Sequence, residues 1–194
     1  REGRSSTYSL TPEGRARFGP ANALIFAPPP DDLTEMWVFD ARPEAKGLRI
    51  AGGVLVPAPS KGSGAGFRMV GTPLPGSAEA VWDALDPRHR HALETLMQDL
   101  AVMTTARFEP LEATAARTLL IHRWRRIVLR WPEVPAEFTP ARIAPTSVRA
   151  LVARAYAHLS LETENWLDSA GTEMLAMPAA AKGFAQRFKS EQIP

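Results

Sequence analysis

Residues 116–140 read ARTLLIHRWRRIVLRWPEVPAEFTP, a helical pattern that stops at three prolines. Pro110 opens the segment, because proline's fixed φ suits the first helical position. Leu111, Ala115, Leu119 and Leu120, then Trp124, Ile127 and Val128, form one broad apolar stripe that reaches Trp131. Recurrence at three and four residues marks a helix with one buried side. Pro132, Pro135 and Pro140 end it, since proline lacks an amide proton and clashes with the preceding turn. The same helix holds His122, Arg123, Arg125, Arg126 and Arg130 within nine positions. Arg123, Arg126 and Arg130 stand at i, i+3 and i+7 and share a side, while His122 and Arg126 are an i, i+4 pair.

The chain stays helical on both sides of this stretch. Downstream, Ser147 is placed to cap a helix over residues 148–159, and Ser160 another over about 161–170. Residues 177–194 read as a tail with an amphipathic turn or two. Upstream, Asp86 caps and Pro87 starts a helix carrying Leu93, Leu96, Met97, Leu100 and Met103 at helical spacing. Before Ser77 the pattern changes to short strands at 36–39, 52–59 and 67–73, with a brief helix expected within 43–50 and a flexible KGSGAG at 61–66. APPPDD at 27–32 is a stiff linker that cannot be helical. Ahead of it, Thr11-Pro12-Glu13 starts a helix directed toward Phe26, which Pro20 is expected to kink or end. Residues 7–10 alternate as a strand does. The expected class is therefore α+β, in three units: 1–28, 29–79 and 80–194.

Composition sets the outer limits. A chain of 194 residues with 45% hydrophobic content can bury a proper core. No apolar run approaches the roughly 18 residues that would cross a bilayer, so no membrane partner is expected. Cysteine is absent, which removes disulfides and thiolate metal sites and agrees with a reducing, cytoplasmic setting. Net charge is +2, yet 19 of the 23 basic residues are arginine. That bias fits phosphate contacts, and it equally fits a GC-rich genome.

Three stretches carry a family resemblance. In 116–140, Arg117, Thr118, Leu119, Leu120, Ile121, His122, Trp124, Arg125, Arg126, Leu129 and Arg130 fit a helix of the phenylacetate-degradation repressors (PaaX-like), and Pro132, Pro135 and Pro140 fit the proline spacing that follows it. GRSSTYSLTPEGR at 3–15 looks like that family's wing, and AVWDALDPRHRHALETLM at 80–97 like its interdomain segment. Trp131 stands where the family places an aspartate. The resemblance implies a winged helix, of which only the wing falls within this chain, a central ferredoxin-like (Cas2-like) domain and a C-terminal helical domain. It further implies a homodimeric transcriptional repressor that binds operator DNA and is released by an aryl-CoA thioester such as phenylacetyl-CoA. On that map the chain starts inside the wing, and a helix-turn-helix is expected upstream.

The candidate sites follow. Arg1, Arg4, Ser5 and Ser6 have the chemistry of wing residues lying along a DNA backbone, and a solvated basic turn has it too. His122, Arg123, Arg126 and Arg130 form a cationic face suited to the phosphates of coenzyme A, with the adjacent apolar stripe holding an aryl group. The competing reading pairs these arginines with carboxylates such as Glu109, Glu112, Glu133 and Glu162. Trp124 is expected in the core. His89 and His91, two apart on a helix, cannot ligate one metal together. Asp40 is the one aspartate placed for metal chemistry in a Cas2-like centre. With no cysteine nucleophile, no G-x-S-x-G elbow and no phosphate-loop lysine after GSGAG, the expectation is no enzyme and no cofactor beyond the effector. A CoA-thioester-processing enzyme is the alternative.

Overall fold

The computed structural model describes residues 11–29, 36–42, 46–58, 67–169 and 188. The proposed wing, including Arg1, Arg4, Ser5 and Ser6, lies outside the described residues, as does the tail apart from Phe188. The first element is helix α1, Pro12–Ile25, which Thr11 caps by accepting the Gly14 amide at 3.1 Å. The helix runs through Pro20 instead of ending there. Pro20 removes a single ladder bond, and on this exposed helix the freed carbonyl meets water.

Four strands follow: β1 (Trp37–Asp40), β2 (Leu48–Ile50), β3 (Gly53–Pro57) and β4 (Arg68–Gly71). They form one antiparallel sheet in the order β2-β3-β1-β4. The brief helix expected within 43–50 is corrected, because residues 48–50 are strand. Leu48 pairs with Leu55 across the β2–β3 hairpin, whose turn uses Gly52 at φ +83°; a left-handed position of that kind suits glycine and brings two strands together. Gly53 is equally constrained, since a Cβ there would stand 2.6 Å from the Phe39 ring.

The rest of the chain is helical: α2 (Ser77–Ala84), α3 (Pro87–Met103), α4 (Pro110–Val128) and α5 (Val148–Ser169), with a short 3-10 turn at Ala136–Phe138. Asp86 caps α3 by accepting the Arg88 amide at 2.7 Å. Glu109 and Glu112 close a capping box at the start of α4. Ser147 caps α5 through the Ala150 amide at 3.1 Å. The second cap expected at Ser160 is not formed. The Ser160 hydroxyl bonds back to the Tyr156 carbonyl at 2.7 Å, inside one continuous helix. A hydroxyl that finds its acceptor one turn earlier has no reason to break the ladder.

Helix α4 is the centre of the core. Its buried line is Ala113, Ala116, Leu120, Trp124, Ile127 and Val128, turned from the predicted stripe so that Leu111, Ala115 and Leu119 face solvent. The two alanines explain the rotation: their small side chains let α5 approach closely, and Val152, Ala155 and Leu159 fill the opposite side. Leu93, Leu96 and Leu100 of α3 complete the layer. The sheet joins this body through Trp37, whose ring meets Phe138 edge-on at 4.8 Å.

Candidate functional site

His122, Arg123, Arg125 and Arg126 of α4, and Arg130 just past its end, are all solvent-facing, because the buried line takes the other side of the helix. Arg123 is ion-paired with Asp99 of α3. Arg130 lies over the Trp131 ring, with its guanidinium carbon 4.7 Å from the centroid. Among the described residues, His122 and Arg126 have no hydrogen-bond or ion-pair partner. The carboxylates considered as alternative partners are engaged elsewhere: Glu109 and Glu112 in the capping box, and Glu133 with Arg149. Glu162 accepts a long bond from Asn165 at 3.4 Å.

The apolar stripe beside this face does not offer an aryl pocket. Trp124 is 1% exposed, and the cavity it shares with His89, Ile127, Val128, Glu133 and Val134 is only about 10 Å³. Core packing closes the space that a ligand ring would need. Larger clefts lie elsewhere. One of about 460 Å³ runs between Arg107–Pro110 and His158–Glu162, and one of about 270 Å³ opens between the sheet and α2, lined by Trp37, Phe39, Val81 and Phe138.

Behind the cationic face sits a buried polar cluster. His89 is 3% exposed and stacks on Trp131 with ring centres 5.0 Å apart and planes 7° from parallel. Burial pushes its pKa down to about 4, against a smaller opposing pull from Asp86, so the imidazole is neutral near pH 7. Its Nε2 has no partner among the described residues. Two positions after Trp131, the Glu133 carboxylate accepts Arg149 Nε at 2.8 Å and an Arg149 terminal nitrogen at 2.6 Å. The other terminal nitrogen of Arg149 reaches the carbonyls of Leu24 at 3.0 Å, Ile25 at 3.4 Å and Ala27 at 3.1 Å. Trp124 Nε1 donates to the Ile25 carbonyl at 2.9 Å, and Arg149 lies over its ring at 5.1 Å.

Residues 82–169 match the family model described as the PaaX-like protein C-terminal domain. That stretch is similar to the PaaX-like C-terminal domain. No curated protein and no solved structure matches the chain. The matched stretch runs from the end of α2 to α5 and holds all four candidate effector residues, His122, Arg123, Arg126 and Arg130, together with Arg149 and Glu133. Arg149 and Asp99 were not singled out from the sequence. A signal was present for Arg149, which stands at i, i+3 and i+7 with Val152 and Tyr156, a basic residue on a buried line. Asp99 is partly buried on α3 and carries no such mark.

Outside the matched stretch, Asp40 does not have the setting of a metal ligand. Its carboxylate is buried and gripped by Arg42 at 2.6 and 2.9 Å, with Arg68 at 3.4 Å. The Arg42 hydrogen bonds hold its pKa down to about 2. Both oxygens are thus occupied by guanidinium. No cluster of three metal-ligating side chains occurs among the described residues, and none of their helices is long and apolar enough to cross a membrane. His89 is buried and His91 exposed, as two residues on different sides of one helix must be.

Proposed function

We propose that the protein is a PaaX-type transcriptional repressor of an aromatic-acid (phenylacetate-type) catabolic operon, released from DNA by an aryl-CoA thioester. The observation that carries this reading is the match of residues 82–169 to the PaaX-like C-terminal domain. The cationic side of α4 supports it. His122 and Arg126 stand exposed one turn apart, with Arg123 and Arg130 beside them, which suits the phosphates of coenzyme A. Arg1, Arg4, Ser5 and Ser6 are the proposed DNA-backbone contacts. The repressor acts as a cytoplasmic homodimer, and ligand shifts the population toward a geometry whose half-site spacing no longer fits the operator. No catalytic role is assigned.

A thermal-shift titration with phenylacetyl-CoA and with free CoA tests the sensing step. Stabilisation that saturates with phenylacetyl-CoA, and weakens in Arg126→Ala, is expected; no stabilisation by any aryl-CoA removes it. Gel retardation of the operon's upstream DNA by the protein carrying its wing tests the other half.

A further inference from the structure

Helix α1 is held to the rest of the molecule at one end only. Its first three turns are almost wholly exposed, and burial begins at Ile25. There the grip is dense. Three carbonyls, those of Leu24, Ile25 and Ala27, accept from Arg149, and the Ile25 carbonyl also takes the Trp124 indole. Phe26 packs edge-on against Tyr156 at 6.2 Å and Phe188 at 5.3 Å. The Leu24 and Ile25 carbonyls are orphans of the α1 C-terminus, and a buried guanidinium supplies the donors the helix itself cannot. Arg149, with its side chain 3% exposed, needs a counter-charge, and Glu133 is the carboxylate that provides it.

Glu133 sits on the short proline-bounded segment that also carries Trp131, and Trp131 lies under Arg130. Pro132 and Pro135 leave this segment little freedom to bend. We propose that the Arg149–Glu133–Trp124 clamp is a releasable joint that sets the direction of α1 on the helical domain, and that Arg130 and Trp131 link it to the cationic side of α4. A polyanion that draws Arg130 off Trp131 displaces the segment, shifts Glu133 and loosens the hold on the α1 carbonyls. The link to Arg130 rests on the effector-face reading above. The joint itself does not.

The absence of cysteine makes the test clean. Spin labels are placed through Arg15→Cys on α1 and Arg154→Cys on α5, both exposed, and the distance distribution is read by pulsed electron resonance on the full chain. The parent gives a single narrow peak. Glu133→Gln, Arg149→Lys and Trp124→Phe broaden it to about twice its width or more, as expected when a local opening equilibrium is shifted. Arg142→Gln, which breaks an exposed pair, does not. Should Arg149→Lys lose its cooperative melt, the two milder variants decide. Unchanged widths in both overturn the joint. Coenzyme A is then added as the polyanion: a shifted or widened peak, matched by a ligand-free Arg130→Ala peak that is already shifted or widened in the same sense, supports the link. If coenzyme A binds by thermal shift and the peak does not move, the link is wrong. If nothing binds, the effector face fails while the joint stands on its variants.

Discussion

The helical body and the sheet differ in how completely each covers itself. In α3 to α5 the large side chains Leu96, Leu120, Trp124 and Leu159 are all 1% exposed or less. In the sheet, Met69 and Val70 of edge strand β4 are 57% and 60% exposed, and Phe67 and Leu74 beside them are 61% and 73%. The body is three long helices with 3.6-residue periodicity closing around one line of α4. The sheet is four strands of three to five residues, with Trp37 set against the 3-10 turn. Stability therefore resides in the body, and the sheet's apolar edge contributes little to it.

The largest expected contrast comes from truncating one side chain on each side. Trp124→Ala removes a fully buried ring and the bond to Ile25, and should lower unfolding free energy by about 3–5 kcal/mol. Val70→Ser on β4 should stay within about 0.5 kcal/mol of the parent. Chemical denaturation of both variants measures this. A Val70→Ser loss as large as that of Trp124→Ala would mean the β4 edge is covered in solution, and the contrast would fail.

The second effect is confined to the body and depends on pH. His89 has a folded pKa of about 4, below the ordinary 6.5. Between these values the unfolded chain takes up a proton that the folded chain refuses, so stability is full above pH 6.5 and declines toward pH 4. The loss should be on the order of 2–3 kcal/mol across that window. His89→Phe keeps an aromatic ring against Trp131 and removes the titration. Denaturation midpoints measured from pH 7 to pH 4 should fall more steeply for the parent than for the variant, and parallel curves would rule out a buried neutral imidazole.

The same contrast governs what could be read from the residues. The body was legible: Pro87, Pro110 and the proline run bound its helices as expected, and Leu93, Leu96, Leu100 and Trp124 fell in the core. Its rotation was not. Alanine and leucine at helical spacing are equally apolar on paper, and only the approach of α5 shows that Ala113 and Ala116 face inward while Leu119 does not. In the sheet, β2 was misread because three residues carry too little pattern to separate strand from helix. Their partner Leu55 lies beyond a turn, and pairing outweighs propensity. Of the candidate site, clustering of the basic residues on α4 was legible from spacing alone. Their partners were not, since Asp99 and Glu133 belong to other elements and Arg149 reports on a helix more than a hundred residues away in sequence.

A sharper probe of the sheet is Gly53→Ala. A Cβ there would meet Phe39 ring carbons at 2.6 Å and the Asp40 carbonyl at 2.7 Å. The ring can turn, but the backbone cannot, so a cost of about 1–3 kcal/mol is expected from overpacking. That is less than Trp124→Ala and more than Val70→Ser, because the position is interior to the sheet and not on its edge. A neutral outcome by thermal melting would show that β1 and β3 separate easily, which would widen the contrast further.

The smallest effect should come from the contact that spans the two halves. Arg142, in the loop before α5, donates to Glu79 of α2 at 2.7 Å, yet the side chains are 55% and 52% exposed. The hydrogen bond to Glu79 raises the Arg142 pKa, a shift that has no consequence in an arginine already charged at every working pH. An exposed pair of this kind gives back in side-chain ordering most of what it gains in attraction, and salt screens the remainder. Arg142→Gln should leave the melting temperature unmoved at both low and high salt. A salt-dependent drop would show that α2 depends on this pair to stay seated, making the Trp37–Phe138 contact insufficient to join sheet and body.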